Sequence, residues 1–354
     1  MTKFVVTPAS ETQRAAWLGG ELPAVEKVRP GLWSIPVPIP INPLRYVLVY
    51  ALELPDGVAI IDAGWNTDEA FGALCAGLAV AGYEITDVKG VLVTHIHPDH
   101  YGLAGRIREV SGAWIALHPA DAGLLRERYD DEFIESLVAR ERALLVRSGV
   151  PGETLDELAG ASMMIRHMVS TALPDRLIED GEQVGLAGWD LRAIWTPGHS
   201  PGHLCFVSPG RRLLFSGDHV LAKITPIVAV HPQSGPNPLA DYLESLAAVR
   251  RFEVDEVLPA HEYRFLELAE RVDYVMAHHE ERLAEIEKVV ADTGGADCWT
   301  IATRLTWSRP WETIPAFMRR AANNETLAHL AWLEARGRVR HQAGDVDIWY
   351  SMES

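Results

Sequence analysis

The stretch THIHPDH at residues 94–100 decides the fold, because it places metal-ligating side chains at the end of an apolar run, GVLV. Imidazole nitrogen suits zinc and iron, and a carboxylate adds a hard oxygen donor. Side chains two apart on an extended segment point to the same side, so His95 and His97 can share one ion. The chain turns after the proline, where Asp99 and His100 can reach a second ion. Packing these groups without a metal would leave several polar atoms buried and unpaired.

Further ligands are predicted at the ends of three later strands. These are His199 in TPGHSPGH, Asp218 after LLFSG and His261 after VLPA. The glycines let the backbone pass close to an ion, and Asp218 is placed to bridge two ions. We expect His203 to support its turn rather than to bind metal. Asp62, which follows VAII, is predicted to orient one ligating imidazole.

These residues, taken in order, resemble the pattern of the metallo-β-lactamase superfamily. The pattern consists of D-A-G at 62–64, H-x-H-x-D-H at 95–100, G-H at 198–199, G-D at 217–218 and His261. It is most similar to the dinuclear hydrolase branch, which includes glyoxalase II, acyl-homoserine lactonases and lactamase-beta-like proteins. True β-lactamases usually carry a cysteine where Asp218 stands. The resemblance covers roughly residues 25–265. It implies an α+β fold, a four-layer αββα sandwich with the metal site at one edge of two mixed sheets.

The resemblance implies an enzyme, a dinuclear metallo-hydrolase. Its metal ligands would be His95, His97, Asp99, His100, His199, Asp218 and His261. Two divalent ions are expected, with zinc first and iron or manganese as alternatives, because histidine and aspartate discriminate little among them. A hydroxide shared by two close ions would attack the carbonyl of a small acyl substrate, a thioester, ester or lactone. Asp99 and Asp218 are the candidate catalytic residues, since either could orient the nucleophile or pass on its proton.

Four other side chains are candidates to contact the substrate. Tyr101 and Tyr263 flank the ligand positions and could offer hydroxyl groups, although both could instead be packing aromatics. Lys223 and His231 lie on the segment after Asp218 and could also reach the substrate.

Two alternative functions remain open at this point. Some members of the superfamily cut RNA, so a phosphodiesterase or ribonuclease is the first alternative, and it would need a basic trough. A mononuclear iron enzyme resembling persulfide dioxygenases is the second, since it uses a similar first motif with one metal.

Composition favours a small-molecule substrate. The 354 residues include 32 Lys and Arg against 49 Asp and Glu, a net charge of −17, which disfavours nucleic acid as a partner. The three cysteines, Cys75, Cys205 and Cys298, are far apart and do not form a disulfide framework. No run approaches the roughly 20 apolar residues that cross a bilayer. We therefore expect a cytoplasmic protein without membrane contact, and a homodimer as the commonest assembly.

Two domains are predicted. Residues 1–265 would form the catalytic domain, with a helical insertion at about 120–177. Residues 266–354 would form a helical domain similar to a winged helix, with separate helices over 311–322 and 323–335 before a strand pair. Its arginines are balanced by acidic residues, which favours packing or dimerisation over DNA binding.

The insertion is expected to form a lid or wall over the site. It carries Met163, Met164 and Met168, and methionine adapts to irregular apolar shapes. The alternative is that these side chains are ordinary core of a helical insert.

Overall fold

The computed structural model describes residues 4–40, 42–160 and 165–352, so Met163 and Met164 lie outside the described residues. Within these ranges, the first of two large β-sheets has seven strands. The strands are β1 (Glu26–Arg29), β2 (Leu32–Pro38), β3 (Tyr46–Leu54), β4 (Gly57–Ile61), β5 (Val88–Leu92), β6 (Trp114–Leu117) and β7 (Arg176–Leu177). They lie side by side in chain order. Pairing is antiparallel from β1 to β4 and parallel from β4 to β7.

The second sheet has four strands in the order β11-β10-β9-β8. They are β8 (Arg192–Trp195), β9 (Leu204–Ser208), β10 (Leu213–Gly217) and β11 (Glu256–Pro259). Strands β8, β9 and β10 pair antiparallel, and β10 pairs parallel with β11. Near the C-terminus, β12 (Val339–Gln342) and β13 (Ile348–Ser351) form the predicted strand pair.

Helices cover the outer faces of the sheets and form most of the remaining chain. They are α1 (Glu11–Gly19), α2 (Asp68–Ala81), α3 (Pro98–Tyr101), α4 (Ala104–Ser111), α5 (Pro119–Ala122), α6 (Leu125–Tyr129), α7 (Asp131–Arg147), α8 (Gly152–Gly160), α9 (Pro238–Val249), α10 (Leu268–Thr293), α11 (Cys298–Arg304) and α12 (Ala316–Ala335). Single 3₁₀ turns lie at Ile85–Asp87, Ile165–Met168 and Trp311–Thr313. No helix in the described ranges combines the length and apolarity needed to cross a membrane.

The period-two pattern of β3 shows how the layers are stacked. Tyr50 points between the sheets, where its ring meets Phe215 of β10 edge to face at 5.3 Å. Val49 points the other way and joins the apolar cluster with Leu74 of α2. Helices α9 and α10 pack on the far face of the second sheet. The predicted four-layer αββα sandwich is confirmed, because each sheet has one helical layer and both share an apolar interior.

The ends of α2 follow local sequence signals. Thr67 is its N-cap, and its hydroxyl accepts the backbone N–H of Ala70 at 3.1 Å. Gly82 ends the helix with a left-handed φ of 90°. This capped helix packs against the outer face of the first sheet.

The C-terminal segment differs from expectation in one element. The helices predicted over 311–322 and 323–335 are one continuous helix, α12. Asparagine is a weak helix former, but here Asn323 and Asn324 are buried and bonded to each other, and the amide of Asn324 donates to Glu141 of α7 at 3.0 Å. Hydrogen bonds to another helix therefore stabilise the helical conformation at these two asparagines. The domain boundary at residue 265 stays a prediction.

Candidate metal centre

The seven predicted ligands come from the ends of four strands that point toward the same edge of the sandwich. His95 and His97 follow β5, while Asp99 and His100 lie on α3, which begins at Pro98. His199 follows β8, Asp218 follows β10 and His261 follows β11. Parallel strands end at the same edge of a sheet, so residues far apart in the chain meet there.

The structure brings these seven side chains together in three overlapping groups. His95, His97 and His199 form one group, and Asp99, His100 and His261 form another. A third group of His95, His100 and Asp218 joins them. Within each group the ligand atoms lie within 4.8 Å of one another. Two groups of potential ligand atoms therefore lie side by side, and Asp218 belongs to the group that joins them.

The unpaired atoms at the centre fit metal ions. The Nε2 atoms of His100, His199 and His261 and Oδ1 of Asp218 are buried, with no hydrogen-bond partner in the described part of the chain. Nε2 of His261 lies 3.2 Å from Oδ1 of Asp218 and 3.3 Å from Oδ2 of Asp99, distances that allow electrostatic attraction, but neither contact has the geometry of a hydrogen bond. Buried polar atoms without partners cost free energy, and imidazole nitrogens with carboxylate oxygens are a donor set for zinc, iron or manganese. These residues therefore fit the divalent metal ions that the sequence predicts.

Outward hydrogen bonds set the orientation of the imidazoles. Nδ1 of His261 donates to the carbonyl of Tyr46 at 2.8 Å, and Nδ1 of His199 donates to the carbonyl of Ile227 at 2.8 Å. A carbonyl only accepts, so Nδ1 carries a proton and Nε2, which faces the centre, is the nitrogen that can bind an ion. This is the arrangement by which proteins prepare a histidine for metal binding.

Asp62 performs the same task for His100. Its Oδ2 lies 2.8 Å from Nδ1 of His100, and its Oδ1 accepts the backbone N–H and the hydroxyl of Thr94 at 2.8 and 2.9 Å. Asp62 has a φ of 63°, a left-handed conformation that few non-glycine residues adopt. Such strain persists where the surroundings impose it. The structure places Asp62 where the sequence predicts an orienting carboxylate.

Electrostatics divide the ligands into two classes. Burial lowers the pKa of His95 and of His97 well below the usual range, and neighbouring imidazoles lower both further. Burial also acts on His261, but the carboxylates of Asp218 and Asp99 outweigh it and raise its pKa to about 10. The imidazoles of His95, His97 and His199 are thus held neutral, while the carboxylates beside His261 favour positive charge there.

Sequence reasoning missed Asp121, which ties two ligand loops together. Its buried carboxylate accepts the N–H of Ile96 at 2.8 Å, the hydroxyl of Ser200 at 2.9 Å and the N–H of Gly202 at 2.6 Å. Ile96 separates the first two histidines, and the other two donors flank the turn after His199. The signal that could have found it is topological, since Asp121 follows β6, the parallel neighbour of β5.

His203 supports Asp218 from behind. Its Nε2 accepts the backbone N–H of Asp218 at 3.2 Å, and its Nδ1 lies 2.8 Å from the hydroxyl of Thr196. No ligand group in the described residues includes His203. This position matches the supporting role expected from the sequence.

The two candidate tyrosines lie in packed surroundings. Tyr101 is fully buried, and its hydroxyl is bonded to the backbone of Ala172, whose N–H it accepts at 2.7 Å. Tyr263 is 4% exposed and belongs to the apolar core around the second sheet. Their observed contacts favour packing, the alternative left open for both, over contact with a substrate.

Comparisons with known proteins agree with this geometry. The model of the metallo-beta-lactamase superfamily matches residues 42–261. A probable metallo-hydrolase of Bacillus subtilis is 30% identical over 240 residues, 64% of this chain and 70% of the relative. An acyl-coenzyme A thioesterase of Gallus gallus is 30% identical over 223 residues, 62% of this chain and 71% of the relative. Several other relatives match over less than half of their own length.

A solved structure extends the similarity to most of the chain. A metallo-beta-lactamase family protein of Thermus thermophilus is 32% identical and superposes with a TM-score of 0.77. The superposition covers 92% of this chain and all of that one. The similarity therefore includes much of the segment beyond residue 265.

Proposed function

Because the chain belongs to the metallo-beta-lactamase superfamily, we propose that it is a dinuclear hydrolase that cleaves the acyl bond of a small thioester, ester or lactone. The observation that carries the proposal is the pair of ligand groups, one of imidazoles and one with carboxylates, with Asp218 between them. A structural metal site is usually closed by four protein ligands, whereas the ligand set here, with three histidines in one group and carboxylates in the other, is of the kind that catalytic sites use.

The three cysteines are poor candidates for the nucleophile. Burial raises the pKa of the Cys205 thiol to about 12 and raises the pKa of Cys298 and of Cys75 as well. A thiol with a raised pKa carries little thiolate, which is the reactive form. Water is therefore the nucleophile that we assign.

When bound, two divalent ions lower the pKa of water toward neutrality and stabilise negative charge on a carbonyl oxygen. The residues of the chain orient the reaction. His261, His199 and His100 are held by their outward bonds. The carboxylates of Asp99 and Asp218 both lie close to Nε2 of His261. Either carboxylate can accept a proton from the attacking water and return it to the leaving group.

The acyl substrate class is supported by similarity and by charge. The relative in Gallus gallus is named as an acyl-coenzyme A thioesterase. The net charge of −17 disfavours a long polyanion such as RNA. A thioester is accordingly the first substrate to test, followed by esters and lactones.

Metal analysis together with a substrate screen tests the proposal. We expect about two equivalents of metal per chain and turnover of thioesters, esters or lactones, all lost after chelation and restored by added metal. Turnover confined to phosphodiesters would instead support the nuclease alternative. One iron per chain with oxygen consumption on a persulfide would support the dioxygenase alternative.

A further inference from the structure

A group of basic side chains lies beside the metal centre of this acidic protein. Arg128 belongs to α6, Arg320 to α12, and His231 to the loop between β10 and α9. All three are half-buried. They come from three separate parts of the chain, so only the tertiary structure brings them together.

Helix α6 is fastened directly to the first metal-binding loop. The hydroxyl of Tyr129 donates to the carbonyl of Ile96 at 2.6 Å, and the N–H of the same Ile96 donates to Asp121. Arg128 precedes Tyr129 and therefore lies close to this loop. Its positive charge is one of the causes, after burial and the imidazole of His199, that lower the pKa of His97.

Arg128 lacks the ion pair that its neighbours have. Arg126, two residues earlier, lies 3.2 Å from Asp130, and Arg140 is paired with Glu127. In the ranges that the structure describes, no carboxylate oxygen lies within 4.0 Å of the Arg128 guanidinium. Arg128 instead donates to the neutral side-chain oxygen of Gln233 at 3.2 Å. Most of its donor capacity is therefore available to a ligand.

Gln233 connects Arg128 to His231. The backbone N–H of Gln233 donates to Nδ1 of His231 at 3.2 Å. Because Nδ1 accepts, the proton of the neutral ring is on Nε2, which makes His231 a hydrogen-bond donor on its other side. Burial lowers the pKa of His231 to about 3, and the charges of Arg128 and Arg320 add to this effect.

Arg320 completes the group from the C-terminal segment. Its side chain is 19% exposed, and its Nε lies 3.9 Å from Glu141. Burial lowers the pKa of Arg320, Glu141 opposes this, and Arg128 lowers it further. Nη1 of Arg320 also donates to the carbonyl of Leu158 at 3.4 Å. The like charges of Arg128 and Arg320 both act on His231, and a bound anion would offset the repulsion between them.

We propose that Arg128, Arg320 and His231 bind an oxyanion, a carboxylate or a phosphate, carried by the acyl substrate. The inference rests on the proposed function, because it assigns the charge of the substrate that the metal centre hydrolyses. Guanidinium groups bind both oxyanions through paired charge-assisted hydrogen bonds. The substrate is then a small acyl compound with an anionic group, held with its carbonyl toward His97 and His199.

Binding of stable amide analogues tests this inference without turnover. The probes are N-ethylbutanamide, which is neutral, N-ethylsuccinamate, which carries a carboxylate, and N-(2-phosphonooxyethyl)butanamide, which carries a phosphate. Calorimetric titration into the metal-loaded protein should show an anionic probe binding about 10- to 100-fold more tightly than the neutral one, as for hydrogen bonds to charged groups. The tighter of the two anionic probes identifies the oxyanion.

Matched arginine variants locate the effect. In Arg128→Gln the preference for the anionic probe should disappear while metal content stays at the wild-type level. In Arg126→Gln, on the exposed side of the same helix, the preference should remain. Arg320→Gln offers a second variant should Arg128→Gln fail to fold. Equal binding of all probes to the wild type, or a preference that survives both Arg128→Gln and Arg320→Gln, would overturn the inference.

The two proposals can fail separately. Hydrolysis of neutral and anionic acyl substrates with equal KM would refute the anion site and leave the hydrolase intact. A preference for anionic amides that depends on Arg128, without turnover of any acyl compound, would refute the hydrolase and keep the anion site.

Discussion

The metal centre is built from buried polar side chains, whereas the helical wall formed by α7, α8, α11 and α12 contains an apolar cluster. Asp62 and Asp121 each accept hydrogen bonds from three donors. In the wall, Leu145 and Leu158 are fully buried against Trp299. Hydrogen bonds are directional and set positions to a fraction of an ångström, while apolar contacts tolerate changes of shape. We therefore expect substitutions in the centre to act on metal binding and those in the wall to act mainly on stability.

The largest effect is expected at the point shared by both ion sites. Replacing Asp218 by Ala should lower kcat by a factor of about 10³ or more, because it removes a ligand common to both ions. Bound metal should fall in parallel when measured by elemental analysis. Asp156→Ala, an exposed position of the wall, is the control and should keep full activity. Full activity in Asp218→Ala would contradict the bridging role.

A residue of the centre that binds no metal should show the next largest effect. Asp121→Asn exchanges one acceptor oxygen for a donor, so one of its buried partners loses its hydrogen bond. We expect metal affinity to fall by about 10- to 100-fold, as when outer partners of metal ligands are changed, measured by competition with a chelator. Asp130→Asn, directly after the end of α6, should leave affinity unchanged. An unchanged metal affinity in Asp121→Asn would show that the two metal-binding loops do not depend on the hydrogen bonds of Asp121.

The wall should respond in the opposite way. Leu158→Ala opens a cavity in its apolar cluster and should lower the free energy of unfolding by about 2–5 kcal/mol, measured by urea denaturation. Metal affinity of the folded protein should stay at the wild-type value. Leu173→Ala, at a leucine that is 65% exposed, is the control. Loss of metal from folded Leu158→Ala would show that the two regions are coupled.

The smallest effect is expected from pH, at a pair of imidazoles far from the metal ligands. Nδ1 of His329 donates to the carbonyl of Glu325 at 2.8 Å, and its Nε2 lies 3.1 Å from Nδ1 of His279. Burial lowers the pKa of His329 to about 4, against about 6.5 in an unfolded chain. Below pH 6.5 the unfolded state takes up a proton that the folded state refuses, so stability is full above that pH and falls toward pH 4.

The loss attributable to His329 between pH 7 and pH 5 should be about 2 kcal/mol. Urea denaturation of the wild type and of His329→Gln at both pH values measures it, since the variant should lose less stability on acidification. His167→Gln, at an exposed histidine, should behave as the wild type. An equal loss in the wild type and in His329→Gln would contradict the prediction.

Much of the centre could be predicted because metal binding requires particular atoms in particular places. Histidine and aspartate directly after strand ends, with glycine beside them, rarely occur together unless they bind a metal, so the superfamily and the sandwich followed from the motifs. Asp121 is not part of any such motif. It is a single aspartate within a segment treated as an insertion, and its role depends on partners 25 and 81 residues away.

The sequence by itself determined the strands that lead into the centre and the ligand types, because these depend on apolar runs and on donor chemistry close by in the chain. The resemblance of the motifs to the superfamily implied the sandwich. Only the tertiary structure decided that the Tyr101 hydroxyl bonds a backbone, that α12 runs through two asparagines and that Gln233 links Arg128 to His231. Each of these depends on contacts between distant segments. A local pattern states what a side chain can do, and the packing of remote elements selects which partner it meets.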